Sequence, residues 1–297
     1  MKEILLLLLI AVLGAVPAQA GEMRRLTVND VERTYYLHVP TGLERGAPLV
    51  IMLHGASDDG KDDVGRYGWE HMANNNQFVV AGPDASAVRA DRAPGPDNIR
   101  AWNSGRIDAP ANIARSDDTA LIVAMIDDIA RTDGIDLRRV YVAGFSSGGD
   151  MANRLGQEIA DRLAAISTSA SDMIPLSKPP SRGLPVLFSA GDRDPHTPVN
   201  GGMAERPWDS SLYKKEPQRA LVDRWRTLDA CPAPHTIPGP QGTLIEVSGP
   251  CRDGSEVRYV LMHGVDHKWP TDHPIGLTQA SWDFFKRFSL PAAPAGN

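Results

Sequence analysis

The sequence predicts an α/β fold with a mostly parallel central sheet, helices on both faces and an antiparallel hairpin at its N-terminal edge. Three observations lead there. Strand and helix patterns alternate along the chain, as crossover connections between parallel strands require. Several strand-like runs are apolar throughout, as strands covered on both faces are. Those runs stop at turn-forming or polar residues, such as His54-Gly55 and Gly82-Pro83, that open loops.

The hairpin comes first. Arg25-Leu26-Thr27-Val28 and Tyr35-Tyr36-Leu37-His38-Val39 flank a turn at Asn29-Asp30. Buried strands are expected at Pro48 to Leu53, Phe78 to Ala81, Arg139 to Ala143, Ala164 to Ser167 and Leu184 to Ser189. Thr243 to Val247 and Val257 to Met262 complete the set. Asp117 or Asp118 can cap a helix running to about Ala130, with Leu121, Ile122, Met125, Ile126 and Ile129 on one face. A second helix is expected from about Ser147 to Leu163, and a closing one carries Leu277, Trp282, Phe284, Phe285 and Phe288. Residues 85–116 and 195–216 fit neither period. Long irregular segments in a compact domain are usually functional loops, so these two are expected to frame a cleft.

The first twenty residues read as an export signal: Lys2 in a short head, an apolar run from Ile4 to Val16, and Ala18-Gln19-Ala20 as the cleavage site. The run is too short to span a bilayer comfortably, so no stable membrane insertion is expected. Residues 21–290 then form one α/β domain, followed by a flexible tail at 291–297, and the protein is placed in the periplasm or outside the cell. The net charge of −6 comes without a basic patch, which argues against a nucleic-acid partner. Two cysteines, Cys231 and Cys251, would meet an oxidising compartment and flank a Pro/Gly-rich stretch, so a disulfide is expected between them. Nothing in the sequence sets the oligomeric state.

The chemistry starts at Gly144-Phe145-Ser146-Ser147-Gly148. A Gly-x-Ser-x-Gly pattern is weak alone, but this one follows a buried strand and opens an amphipathic helix with Met151, Leu155 and Ile159. A nucleophilic serine on so sharp a strand-to-helix turn needs neighbours without bulk two residues to either side. Ser146 has them; Ser147 would have Phe145, and fails. The setting is that of the α/β-hydrolase fold, whose nucleophile, acid and histidine follow in that chain order. The oxyanion donors should be the backbone N–H of Ser147 and one from the loop after Leu53, for which Ala56 is the choice. His54 in that loop is read as structural.

The base should lie on a loop beyond a late strand. His263 continues the strand ending at Met262 nearly in line, whereas His267 stands further along the loop and can reach over the strand ends, so His267 is preferred. The acid should follow the strand ending at Ser189, where position alone does not separate Asp192 from Asp194. The alternation Asp192, Asp194, His196, with Asp272-His273 nearby in type, also admits a metal reading. It is set aside because it leaves the serine turn unexplained and its spacing is nonspecific, so neither a metal nor an organic cofactor is expected.

With these residues in hand, the chain from about Leu49 to Pro270 resembles the polyhydroxybutyrate depolymerase and feruloyl esterase family of α/β-hydrolases, also called carbohydrate esterase family one. Leu53-His54-Gly55 looks like its oxyanion segment, Trp102-Asn103-Ser104-Gly105 resembles its Trp-Asn motif, and Arg139 to Gly149 resembles its nucleophile strand and turn. Gly191-x-x-Asp194-Pro195 matches the family's acid turn, which favours Asp194. Asp266-His267-Lys268-Trp269-Pro270 is similar to its Gly-His-x-Trp-Pro turn, with Asp266 replacing the usual Gly. Val199 also departs, standing where the family often has an aromatic residue.

The resemblance implies a serine carboxylic-ester hydrolase that forms an acyl-enzyme through Ser146, His267 and Asp194. Trp102 and Trp269, with Trp69 and Trp208, are candidates to line an aromatic-accepting cleft, with ordinary packing an equal reading for each. No polymer-binding module follows the domain, so a small or oligomeric soluble ester is the expected substrate. A peptidase or acyltransferase would share the same residues; a non-catalytic binding protein need not keep all three.

Overall fold

The computed structural model describes residues 21–292; the expected export signal and the tail beyond Ala292 lie outside the described residues. Ten strands form one sheet. They are β1 (Glu22–Val28), β2 (Val31–His38), β3 (Leu49–Leu53), β4 (Val79–Pro83), β5 (Val140–Phe145), β6 (Ala165–Ser169), β7 (Val186–Gly191), β8 (His235–Pro238), β9 (Leu244–Ser248) and β10 (Val257–Met262). Their order across the sheet is β1-β2-β4-β3-β5-β6-β7-β10-β9-β8.

The six central strands, β4 through β10 in that order, are parallel. The expected hairpin β1–β2 adds antiparallel to β4, with Asn29 and Asp30 at φ 50° and 63° in its two-residue turn. A second antiparallel pair, β9 and β8, closes the other edge. The sequence did not announce it: His235–Pro238 is short and mostly exposed, and its Pro238 fits an outermost strand, where an N–H is not needed. The disulfide Cys231–Cys251 ties together the two ends of the segment that carries this edge.

The apolar runs are explained by two cores, one on each face. Alternation along β3 sends Leu49, Ile51 and Leu53 to one side and Val50 and Met52 to the other, all fully buried. The first face is covered by α4 (Asp118–Asp133), α5 (Ser147–Glu158) and α6 (Gln218–Leu228). On the opposite face lie α1 (Gly60–Arg66), α2 (Trp69–Asn76) and α7 (Leu277–Phe285). A short helix, α3 (Ala111–Ala114), lies in the first irregular segment.

Three boundaries move from their sequence expectation. Asp117 is the cap of α4, accepting from the Ala120 N–H at 3.0 Å. Asp118 instead turns inward to pair with Arg33 at 2.8 Å, and α4 runs on to Gly134 at φ 70°. Helix α5 stops at Glu158, because Ile159 leaves helical geometry at φ −129° and a 3₁₀ turn leads to β6. Phe288 lies past α7, packed on Phe284.

Candidate active site

Parallel strands all point their carboxyl ends the same way, and loops from four of them meet above the sheet. These are the ends of β3, β5, β7 and β10, and they deliver His54 to Ala56, Ser146, Asp194 and His267 respectively. The cavity there has a volume of about 780 Å³. The two irregular segments frame it, as expected. Trp102, Ser104 and Arg106 come from the first; the second supplies His196 and Thr197, then a two-stranded ribbon (Gly202–Glu205 with Leu212–Lys215) that brings Trp208, Tyr213 and Lys215.

Ser146 stands at φ 52°, ψ −120°, a left-handed backbone that a serine adopts only where its surroundings enforce it. Two glycines do so. A Cβ on Gly144 would sit 2.3 Å from the Gly148 carbonyl oxygen, and one on Gly148 would sit 2.1 Å from the carbonyl oxygen of Leu53. Strand, helix and the neighbouring strand therefore approach backbone to backbone, and the Ser146 N–H is held by the Ser169 carbonyl at 2.9 Å.

A continuous hydrogen-bonded chain leads away from this serine. Ser146 Oγ lies 3.0 Å from His267 Nε2, and His267 Nδ1 lies 2.7 Å from Asp194 Oδ2. Because Nδ1 faces a carboxylate, it carries the ring proton, which leaves Nε2 free to accept from the serine hydroxyl. The Asp194 carboxylate is fixed by the N–H groups of His196 and Thr197, each at 2.8 Å, and by the Thr197 hydroxyl. Burial pushes this carboxyl up, but the hydrogen bonds from His267 and Thr197 outweigh it and hold it below the usual range. Phe145 packs on the His267 ring at 4.9 Å, so the strand that leads to Ser146 also positions the imidazole.

The rival pair goes elsewhere: Asp192 Oδ2 meets His263 Nδ1 at 2.8 Å on the outer side of the same strand ends, and both are largely exposed. His54 has the structural place expected of it. It is fully buried, its Nδ1–H donates to the Gly55 carbonyl at 2.6 Å, and its Nε2 accepts from the Ala85 N–H at 3.0 Å. Burial lowers its affinity for a second proton, in keeping with an accepting Nε2. Ala56 and Ser147 both line the cavity, and the Ser147 N–H opens helix α5, where the first-turn N–H groups have no intrahelical partner.

The tryptophans divide. Trp69 is wholly in the core and is absent from the cavity wall, the packing role its sequence equally allowed: it lies against Trp269 and Phe78. Trp102 and Trp269 reach the cavity but are 3% exposed each. The indole N–H of Trp102 donates to the His54 carbonyl and that of Trp269 to the Thr278 hydroxyl, both at 2.9 Å, so they brace the loops that carry His54 and His267. Trp208 lines the far wall. Val199 packs toward the core instead of the cavity. Two features escaped the sequence: Thr197 as support for Asp194, and a charged group around Asp150, Asp172 and Lys215 at one end of the cavity. The first could have been read from an Asp-x-x-Thr turn, whose side chain bonds its own backbone ahead; the second joins residues from three distant segments and leaves no local signal.

No family profile matches the chain. It is 28% identical to feruloyl esterase B of Piromyces equi over 271 residues, 87% of this chain and 46% of that one. The same identity holds with NocK of Nocardia uniformis subsp. tsuyamanensis, which carries the name of an inferred esterase, over 83% of this chain and 73% of that one. The chain therefore spans less than half the length of the feruloyl esterase. An acetyl xylan esterase from Aspergillus awamori superposes with a TM-score of 0.62 at 16% identity, covering 90% of this chain and 99% of that one. The chain is an esterase of the α/β-hydrolase fold. In this esterase the resemblance read from the motifs and the likeness of whole chains agree, and the sheet with its N-terminal antiparallel hairpin is the expected one. Among the described residues no helix is long and apolar enough to cross a membrane.

Proposed function

We propose that this esterase cleaves carboxylic esters by two-step acyl transfer at Ser146, with His267 as general base and then general acid and Asp194 as its orienting partner. The observation that carries the reading is the unbroken Ser146–His267–Asp194 chain at 3.0 and 2.7 Å, opening on the 780 Å³ cavity. His267 takes the serine proton as Oγ attacks the ester carbonyl, and the Asp194 carboxylate stabilises the imidazolium that forms. The N–H groups of Ser147 and Ala56 receive the developing oxyanion; losing one such donor would cost about 3 kcal/mol of transition-state stabilisation. The alcohol leaves with the proton returned by His267, and water, activated by the same imidazole, releases the acyl group.

The relatives' names point to acyl groups such as feruloyl and acetyl, and the substrate of this reading is a small or oligomeric ester. The protein is exported, with residues 1–20 as its signal, and the Cys231–Cys251 bridge supports an oxidising destination. The test is a panel of feruloyl, acetyl-xylan, short-chain aryl and hydroxybutyrate-oligomer esters on wild type and Ser146→Ala, with fluorophosphonate labelling of the folded protein. Turnover of at least one class, abolished with the label in Ser146→Ala, is the expected result. Amide cleavage without ester turnover would assign a peptidase instead.

A further inference from the structure

One end of the cavity is charged, and its contacts are unevenly distributed. Three cations stand there, and two carboxylates take up their contacts. Asp108 accepts from Arg106 at 3.0 and 3.1 Å and from Arg206 at 2.7 Å. Asp172 accepts from Lys215 at 3.0 Å, from the Tyr213 hydroxyl at 3.4 Å and from Arg106 at 3.5 Å. A third carboxyl, Asp150, has no cation within ion-pairing distance among the described residues. Its Oδ1 accepts the Asp172 N–H at 2.6 Å, and its other oxygen has no hydrogen-bond partner among the described residues.

Asp150 is also tied directly to the backbone of the candidate nucleophile. Its backbone N–H donates to the Ser146 carbonyl at 2.9 Å, so it stands one turn into α5 from the candidate nucleophile, on the cavity wall. Asp150 is half-buried, so its free oxygen stands on the cavity wall as an acceptor open to a donor group of the ligand. Arg106, stacked over the Tyr213 ring at 4.2 Å and near Trp208 at 5.8 Å, supplies a flat wall beside it.

Resting on the esterase reading, we infer that Asp150 is a specificity-determining residue, binding a hydroxyl group carried by the acyl limb of the ester. An uncharged hydroxyl suits this carboxyl in either of its states: it donates to the ionised form and accepts from the protonated form. A carboxylate-bearing limb suits it less, because Asp108 and Asp172 already hold the cations it would need. Burial and the neighbouring Asp172 push the Asp150 carboxyl up to about 7, against the opposing pull of Lys215 and Arg106. Ionisation near neutrality strengthens the bond to a hydroxyl donor, since hydrogen bonds to charged groups are the stronger kind. The groups facing Asp150 are Asp172 beyond β6, Lys215 and Tyr213 on the ribbon, and Arg106 on the first loop. His267 acts on every ester alike and cancels from a ratio of two.

The experiment compares kcat/KM for three matched 4-nitrophenyl esters, with hydroxyacyl, alkanoyl and carboxyacyl chains of equal length, on either side of about pH 7. The wild-type esterase should prefer the hydroxyacyl ester on the order of tenfold, the worth of one such bond. That preference should rise as pH passes upward through about 7, vanish in Asp150→Ala, and survive without its pH dependence in Asp150→Asn. Fluorophosphonate labelling of Ser146 reports whether each variant is folded; if Asp150→Ala is not, the flat profile of Asp150→Asn against the rising wild-type one decides. Alkanoyl turnover without hydroxyl preference, a preference for the carboxyacyl chain, or one that survives Asp150→Ala overturns the inference and leaves the esterase reading intact. Absence of both turnover and labelling in wild type overturns both.

Discussion

Strands β7 and β10 lie side by side, and each ends in a loop that carries one partner of an Asp–His pair twice over. Asp192 and His263 leave the strand ends at once and meet on the outer surface at 2.8 Å, with side chains 34% and 53% exposed. Asp194 and His267 come two and four residues later and meet inside, at 2.7 Å, with side chains 0% and 20% exposed. Chemically the pairs are the same. They differ in what surrounds them: the inner aspartate is held by three donors from His196 and Thr197, and the inner imidazole lies against Phe145 and reaches a serine. The lesson is that an Asp–His contact becomes a candidate catalytic device only when its second nitrogen has somewhere to send a proton.

The sharpest way to break this comparison is to remove what only the inner pair possesses. Ser146→Ala or His267→Ala should lower kcat on the order of 10⁶-fold, leaving the modest rate that binding and oxyanion donors sustain. His263→Ala should stay within about twofold of wild type, because an exposed histidine away from the serine contributes nothing to the barrier. Steady-state kinetics on an aryl ester checks both, and comparable losses at His263 and His267 would dissolve the distinction.

The aspartates come next. Asp194→Asn keeps the shape but cannot accept the Nδ1–H as a carboxylate does, and it favours the wrong imidazole tautomer, so kcat should fall on the order of 10⁴-fold. Asp192→Asn should again change kcat by no more than about twofold. A large loss at Asp192 would mean that the outer pair steers the loop bearing His267.

Much of this was legible beforehand, for reasons that differ by residue. Ser146 could be read because its turn imposes glycine on both sides, and those constraints are local. His267 was separated from His263 by reach, a property of loop length that spacing conveys. Asp192 and Asp194 could not be separated by position, since both follow the same strand; only the resemblance favoured one. Trp69 could not be placed, because a tryptophan looks the same in sequence whether it lies in the core or on a cavity wall. The edge pair β8–β9 was half-hidden because β8 is exposed, short and ends in proline, without the apolar run that marks a central strand. Asp150 and its neighbours left no trace, since Arg106, Asp172 and Lys215 are brought together by tertiary structure alone.

The disulfide allows the outer pair's surroundings to be loosened without touching the inner pair. Cys231 and Cys251 close a 20-residue separation that contains β8 and β9, and the loop between those strands, at Gly242 to Leu244, shares a surface groove with His263. Replacing both by serine should lower the unfolding free energy by about 3 kcal/mol on the chain-entropy account, read by urea denaturation. The kcat should stay within about twofold, because Cys251 lies just ahead of the start of β10, at the end of that strand opposite the one that carries His267. A matching collapse of kcat would show that the edge sheet supports the His267 loop as well.

The smallest effect separates the two aspartates in stability. Its sign follows from the direction of each shift. Both carboxyls are held below their usual range, Asp194 against its burial by hydrogen bonds from His267 and Thr197, and Asp192 by its bond from His263. A depressed carboxyl contributes stability that is fully present above the unfolded value near 3.8 and disappears as pH falls through the folded one. For Asp194, buried and bound by several donors, replacement by Asn should therefore cost about 1–3 kcal/mol at neutral pH. The gap from wild type should narrow as the pH is taken below the ordinary carboxylate range. For Asp192 solvent screens the pair, and the cost should be about 0.5 kcal/mol or less at any pH. Thermal unfolding of both variants across acid and neutral pH reads the difference. An Asp194→Asn penalty that stayed constant into acid would mean that the side chain's shape, and not its charge, holds the inner pair together.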